Sequence, residues 1–277
     1  MSTVPNITLN DGVQIPQLGF GVFQIDPDDT KDATLTALRA GYRHIDTAQM
    51  YGNEAQVGEA IRAFEADRSD IFVTSKLNNS NHDRDDALAS FDTTLSDLGV
   101  EELDLFLIHW PMPDVGDFVE TWRAMEEIKA SGRCRSIGVS NFQPHHLKRL
   151  ADETGTVPSV NQIEVHPYFA QDDVRAVNAE MGIATEAWAP IAQGGVLDDD
   201  VLIEIGTAHG KTAAQATLRW HIQRGDIIFP KSVTPSRVEE NFDIFDFELS
   251  DDEMARITGL DRGQRNGPHP DEFNWIP

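Results

Sequence analysis

The 277-residue sequence contains a single cysteine, Cys134, and no long apolar run. One cysteine excludes an internal disulfide bond and is typical of a reducing compartment. No segment approaches the roughly 20 apolar residues that a membrane-spanning helix needs. The first residues also lack the basic and apolar regions of a signal peptide. We therefore expect a soluble cytoplasmic protein that makes no membrane contact.

Basic residues are scarce as well. The 22 lysines and arginines face 47 acidic residues, which gives a net charge of −25 and disfavours binding to nucleic acid or an anionic membrane. The acids are mostly aspartate (29) and the bases mostly arginine (16). Two hypotheses fit this composition equally: adaptation to high salt, which screens the repulsion between carboxylates, or an acidic protein from an arginine-favouring genome.

Neither a solenoid repeat nor a low-complexity linker is present. Instead, short apolar runs alternate with stretches that have helical spacing. The predicted strands are 17–22, 43–48, 71–77, 103–110, 136–140, 160–165, 183–188 and 227–230. The predicted helices are 29–40, 55–65, 83–98, 118–131, 144–152, 171–181, 201–209 and 212–224.

Eight strands that are each followed by a helix predict an α/β fold, a (β/α)8 TIM barrel that forms one domain over residues 1–277. The strands are almost continuously apolar, as expected for a parallel sheet covered by helices. Asp11-Gly12 between apolar pairs predicts an N-terminal β-hairpin, which we place at the barrel floor. The tail after residue 260 is expected to pack Phe273 and Trp275 back onto the barrel.

Polar side chains stand where three neighbouring strands end. Asp46, Lys76 and His109 each close an apolar run, and Tyr51 lies on the loop that follows Asp46. Each residue alone has a structural explanation: a helix cap, a surface aromatic, a solvated charge or a core histidine. Because the strands of a barrel end side by side at one mouth, we expect the four side chains to converge.

These four residues suit proton transfer to a carbonyl oxygen. A tyrosine has a pKa of about 10, and a nearby ammonium group favours the phenolate. We expect Lys76 to lower the pKa of Tyr51, Asp46 to hold Lys76, and His109 to orient the substrate oxygen. No nucleophile with a dedicated base is apparent, so acyl transfer fits poorly.

A reductase also needs a hydride source. The dinucleotide fingerprint is absent, because the segment from Gly19 to Gln24 lacks its third glycine. Other strand ends carry polar side chains that could form hydrogen bonds with a carboxamide group: Ser140, Asn141 and Gln162. Trp188 offers a flat ring on which an aromatic ring could stack. A cationic segment that leads into a helix fits a phosphate group; its residues are Lys231, Ser232, Val233, Thr234 and Arg237.

Several ordered motifs closely resemble the signatures of the aldo-keto reductases, from about Leu9 to Leu260. They are Gly41-Tyr-Arg-His-Ile-Asp-Thr-Ala, Leu107-Ile-His-Trp-Pro, Ile137-Gly-Val-Ser-Asn-Phe, Asn161-Gln-Ile-Glu-Val-His-Pro and Ile228-Phe-Pro-Lys-Ser-Val-Thr-Pro-Ser-Arg. Within the family, Ala189-Pro-Ile-Ala-Gln-Gly and His269-Pro-Asp-Glu look most like the prokaryotic branch that includes 2,5-diketo-D-gluconate reductase.

The resemblance implies NADPH-dependent reduction of aldehydes and ketones, with diketo-sugar acids such as 2,5-diketo-D-gluconate as candidate substrates. It implies a tetrad in which Tyr51 donates the proton. It also implies that NADP(H) is bound without a Rossmann fold. The nicotinamide would be held by Ser140, Asn141, Gln162 and Trp188, the 2′-phosphate by Lys231, Ser232 and Arg237, and the adenine by Asn241.

The residues that line the substrate pocket are predicted from their positions in the sequence relative to the catalytic candidates. Phe23 stands where many eukaryotic members have tryptophan, and the other candidates are Met50, Trp110 and Trp275. For Met50 and Trp110, packing at the barrel mouth is an equal explanation. The short tail and the short loop after Trp110 imply an open pocket and broad specificity.

Neither His145-His146 nor His82 with Asp83 has a matched ligand set, so no metal site is expected. A monomer is expected from the relatives. Two other classes remain: an NADP(H)-binding redox-sensing or partner-binding subunit with little turnover, and a metal-dependent barrel hydrolase.

Overall fold

The computed structural model describes residues 4–277. Its strands are β1 (Asn6–Thr8), β2 (Gln14–Pro16), β3 (Phe20–Gly21), β4 (His44–Asp46), β5 (Phe72–Leu77), β6 (Leu103–Ile108), β7 (Cys134–Ser140), β8 (Val160–Glu164), β9 (Ala184–Trp188) and β10 (Ile227–Ile228). Its helices are α1 (Pro27–Ala40), α2 (Glu54–Ala63), α3 (Arg84–Leu98), α4 (Phe118–Ala130), α5 (Pro144–Thr154), α6 (Asp172–Glu180), α7 (Asp200–Ala208), α8 (Ala213–Arg224), α9 (Pro235–Phe242) and α10 (Asp251–Thr258).

Strands β3 to β10 form one parallel sheet in which chain order equals sheet order. A parallel bridge between Leu18 and Ile228 joins the first strand to the last. There the Gly19 N–H donates to Ile228 O at 2.9 Å, and the Ile228 N–H donates to Gln17 O at 3.0 Å. The sheet therefore closes into the predicted (β/α)8 barrel, with the helices on its outside.

The segment before β4 shows how local sequence sets the position of a strand. Helix α1 begins after Asp26, whose carboxylate accepts the Asp28 N–H, and Pro27 suits the first turn. It ends at Gly41, which has a left-handed φ of 117°. A Cβ atom there would lie 2.7 Å from the Phe242 ring. Both the backbone conformation and the close approach of Phe242 therefore require glycine at this position. This stop fixes where β4 starts, and hence where Asp46 lies.

The predicted N-terminal hairpin is present and covers the barrel floor. Strands β1 and β2 pair with Ile7 opposite Ile15. Its tip is fixed by Asp11, which accepts hydrogen bonds from Ser136 Oγ at 2.8 Å, Ser159 Oγ at 3.0 Å and Lys129 Nζ at 2.6 Å. Because both serines lie near the N-terminal ends of strands, the hairpin sits opposite the catalytic mouth.

The predicted elements agree with the structure to within a few residues, with two differences. The outer runs 17–22 and 227–230 contribute only the two-residue strands β3 and β10, because the barrel closes there through the single Leu18–Ile228 bridge. Helix α10 is not among the predicted helices, and α9 was predicted only as the helix that follows the cationic segment. Their polar, mostly exposed surfaces leave a single strong anchor each, Val238 and Ile257.

The tail after α10 crosses the C-terminal end of the barrel. The backbone N–H groups of Asn266 and Gly267 donate to the Glu164 carboxylate at 2.7 and 3.0 Å. Phe273 packs on Trp110 with ring centroids 4.3 Å apart. Asn79 Nδ2 donates to the Trp275 carbonyl at 2.9 Å. The expected packing of the tail onto the barrel is thus confirmed for Phe273, whereas Trp275 is 53% exposed and only its carbonyl makes this contact. No helix among residues 4–277 is long and apolar enough to span a membrane.

Candidate active site

The four predicted catalytic residues meet at the C-terminal end of the barrel. Asp46 ends β4, Lys76 is the penultimate residue of β5, and His109 follows β6. Tyr51 ends a short 3-10 turn, Gln49–Tyr51. The Tyr51 and His109 rings are edge to face, with centroids 5.8 Å apart. Strand register therefore brings together side chains that are up to 63 residues apart in sequence.

Lys76 is the centre of this group. Its Nζ lies 2.8 Å from both carboxylate oxygens of Asp46, 2.9 Å from Thr47 O and 3.3 Å from Tyr51 Oη. The Lys76 side chain is 0% exposed and that of Asp46 is 6% exposed. Removing either partner would leave an uncompensated buried charge, which is strongly destabilising. Asp46 is therefore not a helix cap, and Lys76 is not a solvated charge.

Lys76 acts to lower the pKa of Tyr51, as expected, but the net pKa is raised above its ordinary value. Burial raises the pKa of Tyr51, and the charge of Asp46 adds to this, while Lys76 only opposes the increase. Burial disfavours the charge of Lys76, yet the charges around it, Asp46 first, raise its pKa. Tyr51 thus holds its proton at neutral pH beside an ammonium group that stays charged.

His109 is neutral at physiological pH. Burial, and then the positive charge of Lys76, lower the pKa of His109 well below its ordinary value. Its Nδ1 is buried without a hydrogen-bond partner among the described residues. A neutral imidazole carries one N–H and one lone pair, so His109 can orient a substrate oxygen without adding a charge.

Three amide and hydroxyl residues lie beside the tetrad. Ser140 Oγ donates to Gln162 O at 2.9 Å, and Asn141 Nδ2 donates to His109 O at 3.0 Å. Asn141 follows β7 with a left-handed φ of 65°, a conformation that asparagine tolerates well. Gln162 Nε2 donates to Asp46 Oδ2 at 2.9 Å. Polar groups of the predicted nicotinamide site therefore touch the catalytic residues directly.

Trp188, the predicted stacking residue, is held from two sides. Its Nε1 donates to Asn141 Oδ1 at 2.8 Å. On its other side lies Gly267 of the tail, where a Cβ atom would come within 2.6 Å of Trp188 Cη2. The Glu164 carboxylate keeps Gly267 in place through the backbone bonds described above. This support could not be predicted from the sequence, because Glu164 and Gly267 are 103 residues apart.

Glu186 is a second residue that sequence analysis missed. It lies on β9, two residues before Trp188, and its side chain is fully buried inside the barrel. Its Oε2 accepts a hydrogen bond from Gln162 Nε2 at 2.7 Å. A charged residue within an apolar strand, Ala184-Thr-Glu-Ala-Trp, is the signal that could have identified it, because an inward-facing acid in a barrel needs a partner.

The predicted phosphate-binding residues form an exposed group between β10 and α9. Lys231, Val233 and Arg237 are exposed, and Ser232 Oγ accepts the Thr234 N–H at 3.0 Å. Neither Lys231 nor Arg237 forms an ion pair with any residue in 4–277. Asn241 lies nearby on α9 and is 6% exposed. Two unpaired cations in so acidic a protein are well placed to bind an anion.

Of the predicted substrate residues, only Phe23 and Met50 are seen next to Tyr51. The Phe23 ring is 5.0 Å from the Tyr51 ring and 49% exposed. Trp275 is also half exposed, whereas Trp110 is buried beneath Phe273. Met50 lies beside Tyr51 in the 3-10 turn and is partly buried. Packing against Phe273 thus accounts for much of the role of Trp110. We add Phe273 to the aromatic residues that are candidates for lining the substrate pocket.

The histidine pair of α5 gains a carboxylate from the tail. His145 and His146 each place Nε2 3.4 Å from Asp271 Oδ1. These three residues could in principle hold a metal. However, His146 Nδ1 accepts the Gln143 backbone N–H at 3.1 Å, so the ring proton of neutral His146 is on Nε2, the atom that a metal would need. The cluster is better explained as a tie between α5 and the tail.

His82 and Asp83 belong to no potential metal cluster among residues 4–277. His82 lies against Thr121, whose hydroxyl donates to its carbonyl at 2.9 Å. The absence of a metal site stays a prediction.

The fold and the site define a barrel oxidoreductase of the type that protonates a carbonyl oxygen as a hydride arrives. In agreement, residues 17–262 match the model of the Aldo/keto reductase family. The chain belongs to this family, and it is an NADP-dependent oxidoreductase acting on carbonyl groups. The resemblance noted in the sequence is confirmed.

Individual relatives cover almost the whole chain. An aldo-keto reductase of Mycobacterium sp. (strain KMS) is 52% identical over 271 residues, 98% of each protein. The methylglyoxal reductase DkgA of Escherichia coli is 47% identical over 270 residues, 96% of this chain and 97% of that one. Among solved structures, a variant of Gox0644 in complex with NADPH has a TM-score of 0.95 at 43% identity, covering 99% of this chain and all of that one.

Proposed function

We propose that this protein reduces small aldehydes and ketones with NADPH and that Tyr51 is the proton donor. The observation that carries this proposal is the buried Lys76 ammonium group, which bonds to both Asp46 and Tyr51. A purely structural ion pair would have no need of a tyrosine hydroxyl at the mouth of a barrel. The same residues serve the reverse oxidation.

The residues present fit an NADP(H) molecule. Lys231 and Arg237 have no acidic partner among the described residues, and a 2′-phosphate would supply one. Gln162 Oε1 accepts no hydrogen bond from any residue in 4–277 and could accept from a carboxamide. Trp188 offers a ring whose orientation is already fixed by Asn141. A Gox0644 variant in complex with NADPH supports this assignment.

In the reaction, bound NADPH supplies the hydride that the carbonyl carbon receives. Negative charge then develops on the carbonyl oxygen, and Tyr51 Oη transfers its proton there. An alkoxide is a stronger base than a phenolate, so the transfer is favourable even though burial raises the pKa of Tyr51. Lys76 stabilises the tyrosinate that forms, and Asp46 keeps Lys76 charged. Neutral His109 holds the oxygen within reach of Tyr51.

We propose small neutral carbonyl compounds, 2-oxoaldehydes above all, as the preferred substrates. Phe23 packs on Tyr51, and Trp110, which follows His109, packs on Phe273; we expect these rings, with Trp275, to offer apolar surface to the substrate. The net charge of −25 disfavours anionic substrates over a long range. The methylglyoxal reductase DkgA is 47% identical, which supports the same class. Reduction of 2,5-diketo-D-gluconate, an anion, stays a prediction.

The test is Tyr51→Phe, which removes only the hydroxyl. We expect NADPH binding, measured by quenching of tryptophan fluorescence, to stay within about threefold of wild type. Turnover of methylglyoxal should fall by at least ~100-fold, the contribution usual for general acid catalysis. Turnover that survives in Tyr51→Phe would exclude Tyr51 as the donor.

A panel of neutral and anionic carbonyl compounds, assayed with NADPH and with NADH, tests the substrate class. The wild type should show higher kcat/KM for the neutral compounds. Binding of NADPH without turnover of any compound would instead favour a redox-sensing subunit. The expectations of a monomer, a cytoplasmic location and adaptation to salt stay predictions, as does the single domain over residues 1–277.

A further inference from the structure

Gln162 is bound by two carboxyl groups at once. Its Nε2 lies 2.9 Å from Asp46 Oδ2 and 2.7 Å from Glu186 Oε2. The atom 2.9 Å from Asp46 Oδ2 must be the nitrogen, because the Asp46 carboxylate, which is paired with Lys76, can only accept a hydrogen bond. Both N–H groups are used, and only the carbonyl oxygen of the side chain remains for another partner.

Apart from its hydrogen bond with Gln162, the Glu186 side chain forms no hydrogen bond or ion pair among residues 4–277. Its side chain is buried inside the barrel and forms no ion pair with any residue in 4–277. Its Oε1 has no hydrogen-bond partner among these residues. A buried carboxyl group without a cation is costly. Such a residue is hard to explain by stability alone.

We propose that Glu186 is a positioning residue for the nicotinamide site, because it fixes the Gln162 amide with its oxygen directed toward the carboxamide of the cofactor. This inference rests on the proposed placement of the cofactor at Gln162. Without Glu186, only Asp46 would hold the amide, through a single N–H. The amide could then turn about that bond, and its oxygen would no longer have a fixed direction.

The protonation of Glu186 is consistent with this role. Burial, and then the charge of Asp46, raise the pKa of Glu186 to about 8. At neutral pH the group therefore holds a proton. The protonated carboxyl group can still accept from Gln162 Nε2 through Oε2. Gln162 thus lies between one charged and one neutral acid, and Lys76 has to balance only Asp46.

The experiment compares NADPH with its reduced 3-acetylpyridine analogue, whose acetyl group lacks the N–H donors of the carboxamide. Dissociation constants are measured by fluorescence titration, which does not depend on turnover. Wild type should bind NADPH more tightly than the analogue. Glu186→Met, which keeps the volume but removes the acceptor, should weaken NADPH about tenfold and the analogue less than twofold.

Two further variants separate positioning from a structural role. Glu186→Gln keeps an oxygen acceptor for Gln162 Nε2 and should bind both cofactors within about threefold of wild type. Glu186→Asp withdraws the carboxyl group by one methylene, roughly 1.5 Å, and should reduce the preference for NADPH as Glu186→Met does. If Glu186→Met does not fold, Glu186→Asp carries the test.

Equal weakening of NADPH and the analogue in Glu186→Met or Glu186→Asp would overturn the proposal, as would an unchanged affinity for NADPH. Gln162→Ala separately tests the assumption that the cofactor carboxamide binds at Gln162. If Gln162→Ala leaves the preference for NADPH intact, the placement of the cofactor at Gln162 is itself wrong. If Gln162→Ala abolishes the preference but both Glu186 variants retain it, only the role of Glu186 fails.

Discussion

The buried carboxyl group of Glu186 should make the stability of this protein depend on pH in a way that one substitution removes. Burial raises the pKa of Glu186 from 4.5 to about 8 in the folded protein. Between these values the folded state holds a proton that the unfolded state has lost. Stability from this group is therefore complete below pH 4.5 and is lost as the pH rises through 8.

The magnitude follows from the two pKa values. A difference of one in pKa corresponds to about 1.36 kcal/mol, so the full difference of about 3.5 amounts to roughly 5 kcal/mol. Over the practical range from pH 5.5 to 9, about 3 kcal/mol of this should be lost. Glu186→Gln cannot ionise. Its free energy of unfolding should therefore gain about 3 kcal/mol relative to wild type over the same range.

Urea denaturation at constant ionic strength measures this difference at each pH. All other titrating groups are common to both proteins, so their contributions largely cancel. Glu186→Met is the matched control: it has a different packing energy but also cannot ionise, and its curve should run parallel to that of Glu186→Gln. Wild-type and Glu186→Gln curves that run parallel from pH 5.5 to 9 would refute the reasoning.

Two further predictions concern the cofactor. Arg237→Ala should weaken NADPH about tenfold or more and NADH less than twofold, because only NADPH carries the 2′-phosphate; equal losses in titrations with both cofactors would exclude this role. Gly267→Ala should displace Trp188, since its Cβ would lie 2.6 Å from the ring. We expect an overpacking cost of about 1–3 kcal/mol, which should weaken the binding of NADPH roughly tenfold or more. Unchanged affinity for NADPH would show that Trp188 moves aside at no cost.

Much of the fold could be predicted because each strand of the barrel is a short apolar run and each helix has a clear amphipathic pattern. The meeting of the candidate catalytic residues could also be predicted, since Asp46, Lys76 and His109 each interrupt the apolar pattern at the end of a run. The barrel fold then determines that these ends are neighbours. The prediction needed only chain order, which equals sheet order here.

The pKa of Tyr51 could not be predicted in the same way. Contact with Lys76 is a matter of strand position, whereas the pKa depends on the balance between a charge and desolvation. In this protein the ring of Tyr51 packs against Phe23 and His109, and desolvation is the largest contribution to its pKa. The sequence thus predicts which charged and polar groups pair. The resulting pKa can be determined only when the packing around the pair is known.

Contacts between distant segments were likewise hidden. Glu164 ends β8 and meets the backbone of residues 266 and 267. Backbone donors leave no trace in side-chain patterns, so nothing in the sequence marks this contact. The tail therefore could be predicted to return to the barrel through its aromatic residues, but its effect on Trp188 could not.

A chain of hydrogen bonds connects the proposed nicotinamide site with Tyr51, the proposed proton donor. It runs from Glu186 to Gln162, Asp46, Lys76 and Tyr51, with steps of 2.7, 2.9, 2.8 and 3.3 Å. Asp46 is its junction, because the same carboxylate holds both the Gln162 amide and the Lys76 ammonium group. If the nicotinamide binds at Gln162 as proposed, one buried acid sets the positions of both Gln162 and Lys76. Hydride and proton would then be delivered to the two atoms of one carbonyl group.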